Sequence, residues 1–232
     1  MGLEASRQFW DEKARENAYW YVSSFGPYHG RDLPQFWASG FRIWEDLQAV
    51  IGYDPKPTDC VVEIGCGVGR LSRAIAPQVG QLHAFDISKK MLLIAQQGNL
   101  SNATWYVSEG VNLRPLPDAC ADLVLAYCVL QHLPSHDTLR QYIREMLRVA
   151  KPGAFLAFTL TPRDWRASLT SAMRLRAGLR ERVRPSGPKG LYKKEWLGIR
   201  PSLKQVMKLS PVSLKHASLH GDKSLFWGTR PA

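Results

Sequence analysis

From Asp59 to Leu160 short apolar stretches alternate with segments whose apolar positions recur every three or four residues. The short stretches Cys60–Ile64, Gln81–Phe85, Thr104–Val107, Ala121–Tyr127 and Ala154–Leu160 predict strands. The segments Arg70–Pro77, Lys89–Gln97 and His136–Val149 predict helices. Such a βαβ succession folds into a parallel sheet with helices on both faces. Strands one and four then flank the point where the winding reverses, and ligands bind beyond the strand ends there. Further on, Ser202–Leu209 predicts a helix. Val212–Leu219 and Lys223–Thr229 predict two strands joined through His220-Gly221-Asp222, an antiparallel hairpin. Ahead of the alternation, Phe9–Val22 and Gln35–Ile51 have helical periodicity, with a Gly-, Pro- and Ser-rich loop at Ser23–Pro34 between them. This leading pair is dense in aromatics, including Trp10, Tyr19, Trp20, Phe36 and Trp44. It serves either as a lid over the ligand or as packing on the sheet edge.

The fold class expected is α/β, organised as one domain. Residues 1–58 form an aromatic helical cap, 59–160 the ligand-binding core, 161–201 a basic insertion and 202–232 the closing helix and hairpin. At 232 residues, 45% hydrophobic and 22% charged, the composition is that of a globular chain with a sizeable core. No apolar run reaches the ~18 residues of a membrane helix. Acids at Glu4, Asp11 and Glu12 leave no apolar leader, so a cytoplasmic chain is expected. Cys60, Cys66, Cys120 and Cys128 form no C-x-x-C pair, so they read as reduced thiols, with no metal site. The net charge is +11, and residues 163–204 hold most of it, with twelve Lys or Arg against three acids. That segment is either a solvated face or a surface for a phosphate, a nucleic acid or an anionic membrane.

Residues 61–70, Val-Val-Glu-Ile-Gly-Cys-Gly-Val-Gly-Arg, carry the first chemistry. A strand runs into Gly65, Gly67 and Gly69 at the start of a helix. Backbone without side chains lets a nucleotide-like ligand approach there. Asp86, at the end of the second strand, suits the two hydroxyls of a ribose. The dinucleotide fingerprint G-x-G-x-x-G differs by one position: Arg70 stands where its third glycine would permit close helix–strand packing.

The run E-x-G-x-G-x-G from Glu63, followed by Asp86, resembles the cofactor site of the class I S-adenosylmethionine (SAM)-dependent methyltransferases. The similarity covers about Asp59 to Phe158. It includes Asp86-Ile87-Ser88-Lys89-Lys90-Met91, like the family's D-x-S-x-x-M. It also includes Ser108–Asp122, Leu125–Pro134 and the turn Lys151-Pro152-Gly153. The resemblance implies a seven-stranded sheet finished by the terminal hairpin. SAM is the implied cofactor, and S-adenosylhomocysteine the product. It places Glu63, Gly65, Cys66, Gly67, Arg70, Asp86, Ile87, Met91, Glu109, Gly110, Val111 and Tyr127 around the cofactor. Asp86 would hold the ribose, Ile87 and Met91 would pack on the adenine, and Glu109-Gly110 would meet its amino edge. Tyr127 would face the sulfonium. His132 stands either as a base for a substrate hydroxyl or as a residue shaping the turn. Tyr19, His29 and Tyr127 are further candidates.

After strand four there is Ala126–Val129 and no Pro-Pro-aromatic run, the mark of many nucleobase and peptide-amide methyltransferases. No P-loop is present. Three functions remain open. The leading one is methyl transfer to an oxygen or nitrogen of a small molecule, anionic or from secondary metabolism. The second is methylation of RNA, a peptide or a lipid- or carrier-bound substrate through the basic segment. The third is SAM binding without catalysis. The acceptor would be chosen by residues 1–58 and 161–201, which cap the sheet.

Overall fold

The computed structural model describes residues 3–23, 27–161, 187–191, 193, 196, 198–218 and 223–231. Two helices, α1 (Leu3–Val22) and α2 (Leu33–Ile51), precede the sheet. Then follow β1 (Cys60–Ile64), α3 (Ser72–Ile75), β2 (Gln81–Asp86), α4 (Lys89–Gln96), β3 (Ala103–Val107), β4 (Ala121–Ala126), α5 (His136–Val149) and β5 (Ala150–Leu160). After the basic segment come α6 (Leu203–Leu209), β6 (Lys215–Ser218) and β7 (Ser224–Thr229).

The seven strands lie in the order β3-β2-β1-β4-β5-β7-β6. Strands β1 to β5 are parallel, and β7 enters antiparallel between β5 and β6. The chain starts at β1 and winds outward both ways, so the reversal falls between β1 and β4. Central strands covered on both faces are nearly continuous in apolar residues, and alternate side chains feed opposite layers. Val62, Val124 and Ala126 pack with α5 through Leu139, Ile143 and Met146. Val61, Leu123 and Leu125 pack on the other face with Trp44 and Leu47 of α2, Ile75 of α3 and Leu92 of α4.

Local capping explains where the helices start. Asp32 accepts the N–H of Gln35 at 3.0 Å and Pro34 stands in the first turn of α2. Ser88 caps α4 through Met91 N–H at 3.2 Å, and Ser135 caps α5 through Thr138 N–H at 3.1 Å. Gly52, at φ +75°, ends α2 in the left-handed conformation. Inside α1, Asn17 leaves helical geometry. Its Oδ1 accepts the Trp20 N–H at 3.2 Å and restarts the helix.

Several boundaries differ from the sequence expectation. Helix α1 begins at Leu3 rather than Phe9. Only Ser72–Ile75 of the stretch Arg70–Pro77 is α-helical, and a 3-10 turn at Ala76–Gln78 follows, where Pro77 cannot donate to a longer helix. Strand β5 begins at Ala150, and Lys151-Pro152-Gly153 is an irregularity inside it rather than a turn before it. Pairing jumps there from Ala121↔Ala150 to Leu123↔Phe155. The extra residues are held by Gly153 N–H to the Arg230 carbonyl at 2.8 Å and by Lys151 to Asp122 at 2.7 Å. The hairpin strand β6 is shorter than Val212–Leu219. The tip of the turn lies outside the described residues, as do 162–186 of the basic insertion, including the amphipathic stretch expected between Leu169 and Val183.

Trp44 joins α2 to the sheet. It is fully buried, and its indole N–H donates to Gln78 Oε1 at 3.3 Å. Replacing a buried aromatic by alanine removes transfer energy and leaves a cavity, at about 3–5 kcal/mol. Trp44→Ala is therefore expected to lower the unfolding free energy by about that amount. Urea unfolding measures it, and a loss well under 1 kcal/mol would show that α2 does not contribute to the core.

Candidate active site

Strand β1 ends at Ile64, and Gly65, Gly67 and Gly69 turn the chain at φ +70°, +56° and +80°. A Cβ on Gly65 would overlap Val129, and one on Gly67 would lie 2.7 Å from Val22 of α1. The turn is tied to β2 by Gly65 and Cys66 N–H groups donating to the Phe85 carbonyl at 2.7 and 3.0 Å. Asp86 completes the tie: Oδ2 accepts Gly67 N–H and Oδ1 accepts Ser88 N–H, both at 2.8 Å. A carboxylate has about four acceptor positions. Asp86 therefore keeps capacity for two hydroxyl donors on a side chain that lines the cavity.

Burial pushes Asp86 up to about 6; the backbone N–H groups of Ser88, Gly67 and Ile87 oppose this and nearby Asp11 adds to it. Burial likewise pushes Glu63 up to about 7, against a 2.5 Å bond from the Ser72 hydroxyl. Arg70 is 6% exposed. Its Nη1 donates to Ser39 Oγ at 3.1 Å, while Nε has no partner and no carboxylate forms an ion pair with it among the described residues. The Arg70 and Arg31 guanidinium carbons each lie 5.6 Å from the Phe36 ring centre, so two like charges flank one phenyl group.

One cavity of about 810 Å³ runs from this turn to His132. Trp10, Tyr21 and Val22 of α1 and Phe36, Ser39 and Arg42 of α2 line it on one side. Tyr127, Gln131, His132, Leu133, Thr161, Trp196, Ile199, Arg200 and Lys223 line it on the other. His132 ends the 3-10 turn Leu130–His132. Its Nδ1 lies 2.5 Å from the Trp196 carbonyl, which can only accept, so Nδ1 carries the proton. Burial lowers its pKa to about 4, with the Lys223 charge contributing. The ring is thus neutral at physiological pH and keeps Nε2 as an acceptor, 3.3 Å from the Gln131 amide nitrogen.

Helix α1 is fastened over the cavity at two places. Asp11 Oδ1 accepts the Ser88 hydroxyl at 2.6 Å and Lys90 N–H at 3.3 Å, and Arg7 donates to the Ser108 carbonyl at 3.2 Å. Glu16 binds Lys13 at 2.6 Å, accepts the Tyr21 and Tyr28 hydroxyls at 2.8 and 2.6 Å, and accepts Lys189 N–H at 3.1 Å. Burial opposes ionisation of Glu16, but these partners outweigh it and hold its pKa below the usual value.

Of the residues singled out in the sequence, Glu63, Gly65, Cys66, Gly67, Arg70, Asp86, Ile87, Met91, Tyr127 and His132 line this cavity together. Glu109, Gly110 and Val111 do not. After β3 the chain turns so that Ser108 takes the wall position, and Glu109 is exposed. The Gly110 carbonyl instead accepts the Ser108 and Tyr142 hydroxyls at 2.7 and 2.8 Å. Tyr19 is also off the wall, packed edge-on against Phe36 and Trp37 at 5.3 and 5.8 Å, and His29 is exposed. Ser39, Arg31, Trp10, Gln131, Trp196, Arg200 and Lys223 also line the cavity but were not named as site residues. Each reaches the site from outside the glycine–acid motif, and no spacing along the chain marks them.

Residues 62–158 match a family model described as a methyltransferase domain. A probable chloroplastic tocopherol O-methyltransferase from Oryza sativa subsp. japonica is 33% identical over 43% of this chain and 28% of its own length. The tRNA N(3)-methylcytidine methyltransferase trm141 of Schizosaccharomyces pombe is 24% identical over 68% of this chain and 65% of its own. The chain thus spans less than two thirds of these curated relatives. Among solved structures, the N-methyltransferase NodS from Bradyrhizobium japonicum WM9, in complex with S-adenosylhomocysteine, superposes with a TM-score of 0.65. It does so at 16% identity over 98% of this chain and 99% of that one, which shows the same fold.

The acid Glu63 offers a test of the site's electrostatics. Its pKa in the folded protein is raised from 4.5 to about 7, so its protonated form is favoured on folding. That contribution is present below the unfolded value and is lost as pH rises through the folded one. Buried neutral His132 acts in the opposite sense, so the comparison must be differential. Relative to Glu63→Gln, the wild type is expected to lose up to roughly 3 kcal/mol between pH 4.5 and about 7. Parallel stability curves for the two proteins across that range would refute the assignment.

Proposed function

We infer that this chain, which through residues 62–158 belongs to the class I SAM-dependent methyltransferase family, transfers the cofactor's methyl group to an oxygen or nitrogen of a small molecule. The observation that carries this reading is one continuous cavity whose wall runs from the glycine turn to His132. Its volume of about 810 Å³ falls within the range of small-ligand sites, about 300–1,000 Å³.

The residues present fit the cofactor. Asp86 has open acceptor capacity for the ribose hydroxyls. Met91 and Ile87 line the wall where the adenine would lie. Arg70, with its unpartnered Nε, together with neighbouring Arg31, offers charge to a carboxylate. When bound, the cofactor supplies a methyl group already activated on a sulfonium. The protein's part is alignment and exclusion of water. Trp10 and Tyr21 of α1 close the cavity from above, and His132 Nε2 accepts the acceptor's proton or holds its hydrogen bond. A base at that point is typically worth ~10²–10⁴-fold for a hydroxyl acceptor, and an amine arriving deprotonated needs none.

Methylation of RNA or of a carrier-bound substrate through residues 163–204 is the competing reading. The cover over the cavity, built from α1, α2 and Trp196, favours the smaller acceptor.

Incubating the protein with methyl-labelled SAM and a cell extract split into dialysable and macromolecular fractions separates the two. Label is expected in dialysable products, and label confined to RNA or protein would overturn the reading. Asp86→Ala is expected to weaken SAM binding at least tenfold in calorimetry, and unchanged affinity would remove the ribose role. His132→Ala is expected to lower turnover while sparing SAM affinity, and unaltered turnover would leave the histidine a turn-shaping residue.

A further inference from the structure

Helix α1 crosses the open end of the sheet, and its contacts fix where its residues stand. Asp11 accepts the Ser88 hydroxyl and Lys90 N–H at the start of α4. Arg7, one turn earlier, donates to the Ser108 carbonyl just after β3. A Cβ on Gly110 would lie 3.1 Å from Leu3. The first half of the helix therefore reaches from the end of β2 to the end of β3, across the part of the cavity lined by Ile87 and Met91. Leu3, Ser6 and Trp10, at i, i+3 and i+7, share one face and line the same cavity. Trp10 meets the His132 ring at 5.1 Å, so Ser6 lies on the side of Trp10 that leads back toward Gly110.

Ser6 is the polar residue of that face, and it is unsatisfied. It is 6% exposed, and its hydroxyl has no hydrogen-bond partner among the described residues. A buried hydroxyl left unpaired opposes folding unless a ligand completes it. The neighbouring polar groups are already committed. The Ser108 and Tyr142 hydroxyls both donate to the Gly110 carbonyl, and Arg7 holds the Ser108 carbonyl. Glu109, the acid expected at the amino edge of the adenine, is exposed and off the wall. An acceptor for that edge must come from elsewhere.

We propose that Ser6 recognises the adenine of the cofactor, its Oγ accepting a hydrogen bond from the exocyclic amino group in place of Glu109. This rests on the cofactor reading of the preceding subsection. The amino group is a donor, and a serine oxygen offers two acceptor positions. Apolar contact with Ile87 and Met91 suits any purine ring, so it does not select adenine. Ser6 supplies the selection. Because Ser6 belongs to α1, the base becomes a further tie between the sheet and its cover, beside Asp11–Ser88 and Arg7–Ser108. The cover therefore reads the cofactor as well as enclosing it.

The test is calorimetry on the full chain with two ligands: S-adenosylhomocysteine and its analogue bearing hydrogen in place of the exocyclic amino group. The wild type is expected to bind S-adenosylhomocysteine about three- to tenfold more tightly than the analogue, the worth of one neutral hydrogen bond. Ser6→Ala is expected to weaken S-adenosylhomocysteine by about that factor and to leave the analogue's affinity undiminished. The retained affinity for the analogue shows that the variant folds. Glu109→Ala is expected to change neither. Equal losses for the two ligands in Ser6→Ala, no loss for either, or discrimination that disappears with Glu109→Ala would overturn the proposal. Failure of the wild type to bind S-adenosylhomocysteine at all would instead sink the methyl-transfer reading on which it rests.

Discussion

Asp86 closes the end of β2 with two charge-assisted bonds, one to Gly67 N–H and one to Ser88 N–H. Together they fix the glycine turn relative to the start of α4. Ser88 in turn caps α4 and donates its hydroxyl to Asp11, so one line of hydrogen bonds runs from Gly67 through Asp86 and Ser88 to α1. The floor of the site and its cover thus share a framework. The cost of the arrangement is a second acid, Asp11, close enough for its charge to disfavour that of Asp86. A hydroxyl donor to Asp86 would relieve that cost, because a hydrogen bond to the charged form favours it.

Glu16 supplies the second fastening, and its chemistry differs. Where Asp86 is buried and raised, Glu16 is half-open and surrounded by donors from three parts of the chain: Lys13 on its own helix, Tyr28 in the following loop, and Lys189 in the segment after β5. Asn17, one residue on, leaves helical geometry and binds the Tyr28 carbonyl. The break lets the second half of α1 turn Trp20 and Tyr21 toward Trp196, with ring centres 6.3 and 5.7 Å away. The aromatic density of the first sixty residues is explained here. These side chains form a wall shared between the two segments that cap the sheet, and α2 separately buries Trp44 in the core. Residues of both leading helices line the cavity, and α2 also packs on the face of the central strands rather than on the sheet edge.

The βαβ alternation, the reversal between β1 and β4 and the final hairpin were legible because each rests on local periodicity. That the glycine turn and Asp86 meet on one cavity wall was legible because the turn's positive φ values demand glycine at fixed spacing after a strand, and Asp86 ends the neighbouring strand. Legibility failed where position depends on how a loop leaves a strand. Glu109 stood at the motif's acid position, yet the turn after Val107 presents Ser108 instead, and Leu3 of α1 stands beside Gly110. Tyr19 failed for a related reason. It was named only as a candidate base from the leading helix, and its ring meets Phe36 and Trp37 rather than the cavity. Arg70 was visible as a departure from the dinucleotide spacing. Its neighbour Arg31, some forty residues earlier, carried no signal because only the packing around Phe36 brings the two together.

The site divides along the same line. Nearly every residue fitted to the cofactor comes from residues 62–158, the part that matches the family model. The residues that cover the cavity or charge its far end, namely Trp10, Tyr21, Trp196, Arg200 and Lys223, all come from outside it. A parallel sheet makes this division natural. Its strand ends fix the donor half rigidly, while the flanking segments attach only through side-chain bonds such as Asp11–Ser88 and the contacts of Glu16. Those attachments can be rebuilt without disturbing β1, β2 or the glycine turn, so acceptor chemistry is free to vary over a constant donor site.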